Sequence, residues 1–158
     1  MTVVFVSNYF NHHQAAFAAA MDKLTEHRFH FIETCTIDPQ RKSLGWGDDS
    51  RPNYIVQAHL DSSSEERAEN MIMDADVVIW GSCPFSLIRP RLKAKKLTFA
   101  YSERLFKDNN WVHSLARAIK YYLRLHRYQA NHYMLCASAY TASDYAKMGM
   151  FLGKCYKW

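Results

Sequence analysis

Short apolar segments recur along the chain, and they restrict its fold more than any other feature of the sequence. Several are apolar throughout and rich in β-branched and aromatic residues, as expected of strands that are buried on both faces. The six segments are residues 3–6, 29–33, 54–57, 77–81, 97–101 and 133–137. They predict the strands of a parallel sheet that is covered on both sides.

Helical patterns fill most of the intervals between these segments. Phe17, Met21 and Leu24 share one face of a predicted helix that begins at Asn11. Gln14, three residues after Asn11, completes a capping box and so supports that start. Three further helices are predicted over residues 65–73, 111–128 and 142–150. This alternation predicts an α/β fold with a doubly wound, mostly parallel, Rossmann-like sheet of six or seven strands and helices on both faces.

The length of 158 residues fits one domain, and the sequence contains no repeat or Pro/Gly-rich linker. We therefore expect residues 1–158 to form a single Rossmann-like domain, in which residues 154–158 begin a last strand. Residues 37–53 predict a long loop that is functional or mobile. No apolar run is long enough to span a bilayer, and the first residues lack a leader signature, so we expect a cytoplasmic protein.

Motifs that bind nucleotides or metals are missing from the expected positions. The loop after the first strand has no glycine, which a dinucleotide site needs for contact with pyrophosphate. Residues 149–155 are one residue short of a phosphate loop and lack its Ser or Thr. His12 and His13 point about 100° apart on a helix, and the four cysteines contain no close pair, which is unfavourable for zinc. We expect no cofactor and no metal.

Ligands of open α/β sheets bind outside the carboxyl ends of the strands, so the residues after each strand are candidates for a site. The substrate-binding candidates are Asn8, Tyr9, His12, Ser82, Ser102 and Arg104, and the catalytic candidates are His13 and Glu103. We expect all of them to converge on one cleft.

The proposed roles of these candidates follow from their chemistry. His12 and His13 lie in the first turn of a helix, where the positive end of the dipole favours a neutral base or an anion contact. The alternative is that both only face solvent. Glu103 can act as a base or bind a sugar hydroxyl, and Arg104 can bind phosphate. The alternative for that pair is a surface ion pair near Lys107 and Asp108.

Positive charge is concentrated in one part of the chain, although the net charge is only +5. Residues 86–128 carry eleven Lys or Arg and two acidic residues, whereas the rest carries nine and thirteen. This asymmetry predicts an anionic partner. The candidate contacts are Arg89, Arg91 and Lys93 in one cluster, and Arg117, Lys120, Arg124 and Arg127 at helical spacing.

The second basic group forms a stripe opposite an apolar helix face that we expect to be buried. That face consists of Leu115, Ile119, Tyr122 and Leu123. Such a stripe either docks on anionic lipid head groups, which makes the protein peripheral at the inner face of the membrane, or is a solvated helix face. Nucleic acid is not an expected partner, because the aromatic residues do not interleave with the basic cluster.

Four motifs occur in a fixed order along the chain. They are the histidine-containing loop at residues 8–14, Gly-Ser-Cys-Pro at 81–84, Ser-Glu-Arg at 102–104, and the C-terminal run formed by 137–149 and 154–158. This order resembles the N-terminal domain of glycosyltransferases with two Rossmann-like domains (GT-B type), and is similar to glycosyltransferase family 4. The last run is the most specific, because it is similar to the family's strand–Ser–helix–Gly–strand segment before the interdomain linker.

The resemblance implies that this chain is the acceptor-binding half of an enzyme. That enzyme would transfer a sugar from a nucleotide-sugar donor to a glycan or lipid-linked acceptor of the cell-surface polysaccharide type. The donor would be bound mainly by a C-terminal domain absent from this chain, so the isolated chain is expected to be inactive. Many family members carry a histidine after the fifth strand, where this chain has Ser102 and Glu103. The role of that histidine falls to either His13 or Glu103.

A stand-alone binding module is the alternative to an enzyme half. In that interpretation the chain is a complete Rossmann-like domain that recognises an anionic ligand or a membrane surface. The charge asymmetry of the sequence is compatible with both interpretations.

Overall fold

The computed structural model describes residues 1–45, 51–106 and 111–158. Its seven strands are β1 (Val3–Ser7), β2 (Phe29–Glu33), β3 (Ile55–Gln57), β4 (Val77–Trp80), β5 (Thr98–Ser102), β6 (His132–Cys136) and β7 (Cys155–Lys157). They form a parallel sheet in the order β3-β2-β1-β4-β5-β6-β7. This confirms the predicted Rossmann-like α/β fold, and each predicted strand agrees with an observed one to within a residue at either end.

Six helices lie among the described residues. They are α1 (His12–Leu24), α2 (Pro39–Ser43), α3 (Ser62–Asp74), α4 (Phe85–Lys93), α5 (Trp111–Leu125) and α6 (Thr141–Ala146). The sequence predicts neither α2 nor α4. α2 is too short for a periodic pattern and lies inside the predicted long loop, of which residues 46–50 are outside the described residues. α4 contains Pro90, which removes a helical N–H donor and normally ends a helix.

The first turns of α1 and α3 are fixed by their N-caps. Asn11 Oδ1 accepts a hydrogen bond from the His13 N–H at 3.0 Å, and Gln14 Oε1 accepts one from the Asn11 N–H at 3.3 Å. The Asn11 and Gln14 side chains form the predicted capping box. In α3 the cap is Asp61, whose carboxylate accepts the Ser64 N–H at 2.7 Å.

The apolar face of α1 is buried only in part. Phe17 and Met21 are half-buried, whereas Leu24 is exposed. Leu24 is the last residue of the helix, and Thr25 takes the buried position there. The contact of α1 with the sheet therefore depends on Phe17 and the residues around it.

Residues Met1–Arg91 form the first of two compact units and contain β3, β2, β1 and β4. Neighbouring residues of a strand face opposite sides of a sheet. On one side, Phe5 stacks on Phe31 with ring centroids 5.2 Å apart, and Phe17 of α1 contacts Phe5 at 5.8 Å. On the other side, Val4 and His30 line one cavity with residues of α3. Helices therefore cover both faces, as predicted.

Arg91 corrects one prediction about the basic residues, because its side chain is fully buried. The guanidinium donates hydrogen bonds to the backbone carbonyls of Ile72, Ala75 and Asp76 at 2.7, 2.8 and 3.1 Å. These carbonyls lie at the C-terminus of α3, where unpaired acceptors and the helix dipole favour a cation. Arg91 therefore satisfies backbone carbonyls at the C-terminus of α3 and is not accessible to an external anion.

Residues Leu92–Trp158 form the second unit, which contains β5, β6 and β7. Tyr145 of α6 is completely buried, and its ring contacts Phe151 with centroids 5.6 Å apart. Phe151 in turn contacts the ring of His132 at 4.9 Å. Burial lowers the pKa of His132 to about 4, so this imidazole is neutral at pH 7. These rings form the core beneath the loop that follows β5.

The predicted burial of one face of α5 is wrong. The four residues expected inside, namely Leu115, Ile119, Tyr122 and Leu123, are all exposed. The buried face is instead formed by Ser114, Ala118 and Leu125. Small side chains allow the helix to lie close to the residues beneath it, and periodicity alone does not distinguish two apolar rows on one helix.

Candidate functional site

The loop that follows β1 is held in shape by its own hydrogen bonds and by the end of β2. Asn8 Oδ1 accepts the Tyr9 N–H at 3.0 Å, and the Asn8 carbonyl accepts the N–H groups of Thr34 and Cys35 at 2.9 and 2.8 Å. The ring of Tyr9 is buried, and its hydroxyl accepts a hydrogen bond from Arg41. Asn8 and Tyr9, both predicted to bind substrate, are therefore also structural parts of the loop.

Glu33, the last residue of β2, anchors the same loop from below. One carboxylate oxygen accepts the Phe10 N–H at 2.7 Å, and the other accepts Arg51 Nη1 at 2.9 Å. The side chain of Glu33 is only 4% exposed, and a buried carboxylate is stable only when it is bonded in this way. No role was predicted for Glu33 from the sequence. Its signal was an acidic side chain at the end of a mostly apolar strand.

The anchored loop leads into α1 and presents two predicted site residues in the first turn. His12 and His13 are both exposed, and their ring centroids lie 3.8 Å apart. The backbone of this turn is fixed by the Asn11 cap. The two imidazoles are therefore accessible on a rigid support.

The loop after β4 leaves the sheet beside the loop after β1. The Gly81 N–H donates to the Val6 carbonyl at 2.9 Å, which continues the pairing of β1 with β4. The strand order changes direction here, which is where open α/β sheets bind ligands. Ser82 is exposed in this loop. Burial raises the pKa of Cys83 to about 12, so its thiol stays protonated at pH 7 and is a poor nucleophile.

A small cavity of about 160 Å³ opens at the carboxyl ends of β2, β3 and β4. Its polar lining includes His59, Asp61 and Glu65. Ligand pockets usually measure about 300–1,000 Å³, so this cavity is smaller than a typical ligand site. None of the predicted site residues of the first unit is among the described residues that line this small cavity. They lie on the loops after β1 and β4 and in the first turn of α1.

A larger cavity of about 470 Å³ lies near the amino ends of β1 and β2. Thr2, His30 and Arg67 belong to its lining. Burial, and secondarily the charge of Arg67, lowers the pKa of His30. Because ligands of open α/β sheets bind at the opposite edge, we assign no ligand to this cavity.

In the second unit, the loop after β5 is tied to α6. Ser102 Oγ and the Tyr145 hydroxyl lie 3.0 Å apart. The buried Asp144 carboxylate accepts Arg104 Nε at 3.3 Å and the Phe106 N–H at 3.2 Å. Burial raises the pKa of Tyr145, so its hydroxyl remains protonated and can donate. No role was predicted for Asp144 or Tyr145, although both belong to the C-terminal run that carries the resemblance.

Arg104 has a second contact in this loop, because its guanidinium carbon lies 4.8 Å from the centroid of the Tyr140 ring. Its ion pair is made with Asp144, and its side chain keeps 37% exposure. Glu103 is exposed. Lys107 and Asp108, the neighbours considered for a surface ion pair, lie outside the described residues.

The remaining basic candidates differ in their exposure. Arg117 is half-buried and donates a hydrogen bond to the Leu105 carbonyl at 2.9 Å, so it also supports the loop after β5. The exposed members are Arg89, Lys93, Lys120, Arg124 and Arg127.

The predicted site residues thus form one set in each unit. In the first unit they are Asn8, Tyr9, His12 and His13 after β1, with Ser82 after the adjacent β4. In the second unit they are Ser102, Glu103 and Arg104, at the end of β5 and directly after it. Convergence of the two sets on one cleft stays a prediction.

Comparison with protein-family models, curated proteins and solved structures found no match for this chain. Within residues 1–45, 51–106 and 111–158, no three His, Cys, Asp or Glu side chains are grouped so that they could hold a metal ion. No helix of the described chain combines the length and apolar character needed to cross a membrane. The assignment of a function therefore depends on the fold and on the two anchored loops.

Proposed function

We propose that this chain is the acceptor-binding half of a GT-B type glycosyltransferase similar to family 4. The proposal depends above all on the loop after β1, which buried Glu33 anchors and which presents exposed His12 and His13 where the strand order changes direction. Sugar transfer to a hydroxyl requires a base that accepts the hydroxyl proton. Such a base works best on a rigid support within hydrogen-bond reach of the acceptor.

The C-terminal run supports the same proposal. It folds as β6, a serine-containing turn, α6, a glycine-containing turn and β7, which is the order of elements in the family's segment. Gly149 and Gly153 have φ values of +68° and +66°. Glycine adopts this conformation at a lower cost than residues with a Cβ atom, so both positions favour the residue that the run contains.

Each set of site residues would have its own role. His13 or Glu103 would accept the proton of the acceptor hydroxyl. The contacts that orient the glycan or lipid-linked acceptor would come from Asn8, Tyr9, His12, Ser82, Ser102 and Arg104. Charge on the departing nucleotide diphosphate must be stabilised by cationic or N–H donors, and we assign this task to a separate donor-binding domain.

Substitution of the two candidate bases tests the proposal in the full-length protein. If His13 is the base, His13→Ala lowers kcat by about 10²–10⁴-fold, whereas Glu103→Gln has a much smaller effect. The reverse result assigns the role to Glu103. His27→Ala is the matched control, because His27 is exposed just beyond the other end of α1 and pairs with Asp22. Unchanged turnover in both His13→Ala and Glu103→Gln contradicts the proposed mechanism.

Titration of the isolated 158-residue chain with nucleotide-diphosphate sugars tests the division into halves. We expect weak acceptor binding and no tight donor binding, because the loop after β1 has no glycine that lets the backbone approach a pyrophosphate. Micromolar affinity for the donor, or measurable transfer by this chain alone, overturns the half-enzyme proposal. The exposed cations of α5 favour the second candidate, a stand-alone module for an anionic ligand or membrane.

A further inference from the structure

α5 carries an apolar surface that its own unit does not cover. Leu115, Ile119 and Leu123 are 46%, 50% and 61% exposed, and Val112 and Tyr122 are exposed beside them. At 100° per residue, these five positions fall in one sector of the helix about 100° wide. Contiguous apolar surfaces of this kind are uncommon on soluble proteins and usually mark a contact with another body.

A cationic sector borders this apolar sector. Lys120 and Arg124 are exposed and lie about 40° apart around the helix axis, and exposed Arg127 follows in the turn after α5. The chain has no Asp or Glu between residues 111 and 143. The exposed half of α5 is therefore apolar on one side and carries cations without any acidic residue on the other.

We propose that α5 docks this protein onto the surface of an anionic lipid membrane. The apolar sector would enter the boundary between head groups and acyl chains, and the cationic sector would contact the lipid phosphates. A bilayer offers both environments along one plane, which suits two sectors that run side by side along a helix. The buried row of Ser114, Ala118 and Leu125 keeps α5 attached to its own unit while the other half faces the lipid.

The proposal does not depend on glycosyl transfer and holds for either candidate function. Each basic residue near an anionic surface contributes about 1 kcal/mol, which corresponds to about fivefold in the partition coefficient. Three exposed cations therefore account for roughly a hundredfold preference for anionic over neutral lipid. The electrostatic part of this preference is screened by salt, whereas the apolar part is not.

Vesicle co-sedimentation of the purified protein tests the proposal. We expect strong binding to mixed phosphatidylglycerol–phosphatidylcholine vesicles, much weaker binding to phosphatidylcholine alone, and release from the mixed vesicles in about 1 M salt. Replacing Lys120, Arg124 and Arg127 together by Gln should lower the partition coefficient onto mixed vesicles about a hundredfold. A matched control replaces Lys23, Arg28 and Arg67 by Gln, which removes equal charge from exposed positions of the first unit and should have a much smaller effect.

A second variant separates apolar insertion from general charge attraction. Leu115→Ser, Ile119→Ser and Leu123→Ser combined change only exposed positions, so circular dichroism should remain that of the folded protein. We expect this variant to lose most of its binding while keeping every charge. Equal partition of the parent protein onto neutral and anionic vesicles overturns the proposal. The proposal is also overturned if the parent protein binds no vesicles but forms a dimer in light scattering, and the triple Ser variant abolishes that dimer.

Discussion

The loop after β1 and the loop after β5 lie in different units but are anchored by the same device. In each, a buried carboxylate accepts one backbone N–H of the loop and one arginine. In the first unit the carboxylate is Glu33, which accepts the Phe10 N–H at 2.7 Å and Arg51 at 2.9 Å. Arg51 lies outside the loop after β1, so the anchor leaves two of the predicted site residues, His12 and His13, exposed.

In the second unit the carboxylate is Asp144, which accepts the Phe106 N–H at 3.2 Å and Arg104 at 3.3 Å. Here the arginine belongs to the loop itself and is also a predicted substrate contact. The same device therefore has a different consequence in each unit. After β1 the anchor supports a loop that carries His12 and His13, which take no part in it. After β5 the predicted substrate contact Arg104 is itself bonded to the anchoring carboxylate.

Acid should produce the largest difference between the two loops. Burial lowers the pKa of His132 from 6.5 to about 4, and His132 packs through Phe151 against Tyr145 beneath the β5 loop. Between these two values the unfolded chain binds a proton that the folded chain does not. Stability therefore falls as the pH drops through this window, by about 3 kcal/mol in total. Hydrogen exchange at about pH 5 should show lost protection at the Phe106 amide and retained protection at the Phe10 amide.

His132→Asn provides the control for this pH effect. The Asn amide keeps a donor near the Tyr128 carbonyl, which lies 2.9 Å from His132 Nδ1, and removes the titrating group. The acid-dependent loss at Phe106 should disappear in this variant. An equal loss of protection at Phe10 and Phe106 in the parent protein contradicts the expected difference.

Removal of the anchors should give the next largest effect, and it should be similar in the two units. Glu33→Leu and Asp144→Leu each leave a backbone N–H without its acceptor, so we expect a loss of about 2–3 kcal/mol in the free energy of unfolding. The arginines contribute little to this cost, because Arg51 and Arg104 are 51% and 37% exposed. Urea denaturation measures both values. A loss below about 1 kcal/mol in either variant shows that its carboxylate is not an anchor.

The strands and the start of α1 were predictable from the sequence because local signals decide them. Strands buried on both faces are apolar throughout, and the Asn11 and Gln14 side chains act on the backbone within one turn. α4 was not predictable, because Pro90 opposes a helix locally and only tertiary packing, including buried Arg91, compensates for it.

The anchors of the candidate site were less predictable for a different reason. Glu33 and Asp144 act on partners 23 and 38 residues away in the chain, the Phe10 and Phe106 N–H groups. No periodicity or short motif records a contact of that kind. The buried face of α5 is a similar case, since two apolar rows compete and the choice between them depends on the residues underneath.

Substitution of the two arginines sharpens the difference between the loops. Under the proposed function, if Arg104 contacts the acceptor as well as Asp144, Arg104→Gln should raise the KM for the acceptor about tenfold in the full-length protein. Arg51→Gln weakens the other anchor but removes no predicted contact, so its KM should stay within about twofold of the parent value. Both variants should lose less than about 1 kcal/mol of stability, because both side chains are partly exposed. If only Arg51→Gln raises the KM for the acceptor, the predicted contact belongs to Arg51 and not to Arg104.

The smallest expected effect concerns another contact that holds the β5 loop. This is the hydrogen bond of 3.0 Å between Ser102 Oγ and the Tyr145 hydroxyl. Tyr145 is completely buried, so Tyr145→Phe keeps its packing and removes only the hydroxyl. Tyr145→Phe removes only this bond and should cost about 1 kcal/mol. Ser102→Ala also removes the 3.0 Å hydrogen bond that Ser102 Oγ donates to the Glu103 carbonyl, so the double variant should cost about the same as Ser102→Ala alone. Ser82→Ala, at an exposed position after β4, is the control and should change stability by less than about 0.5 kcal/mol. Additive losses in the double variant would mean that the two hydroxyls act separately, and that the bond between them does not hold the loop.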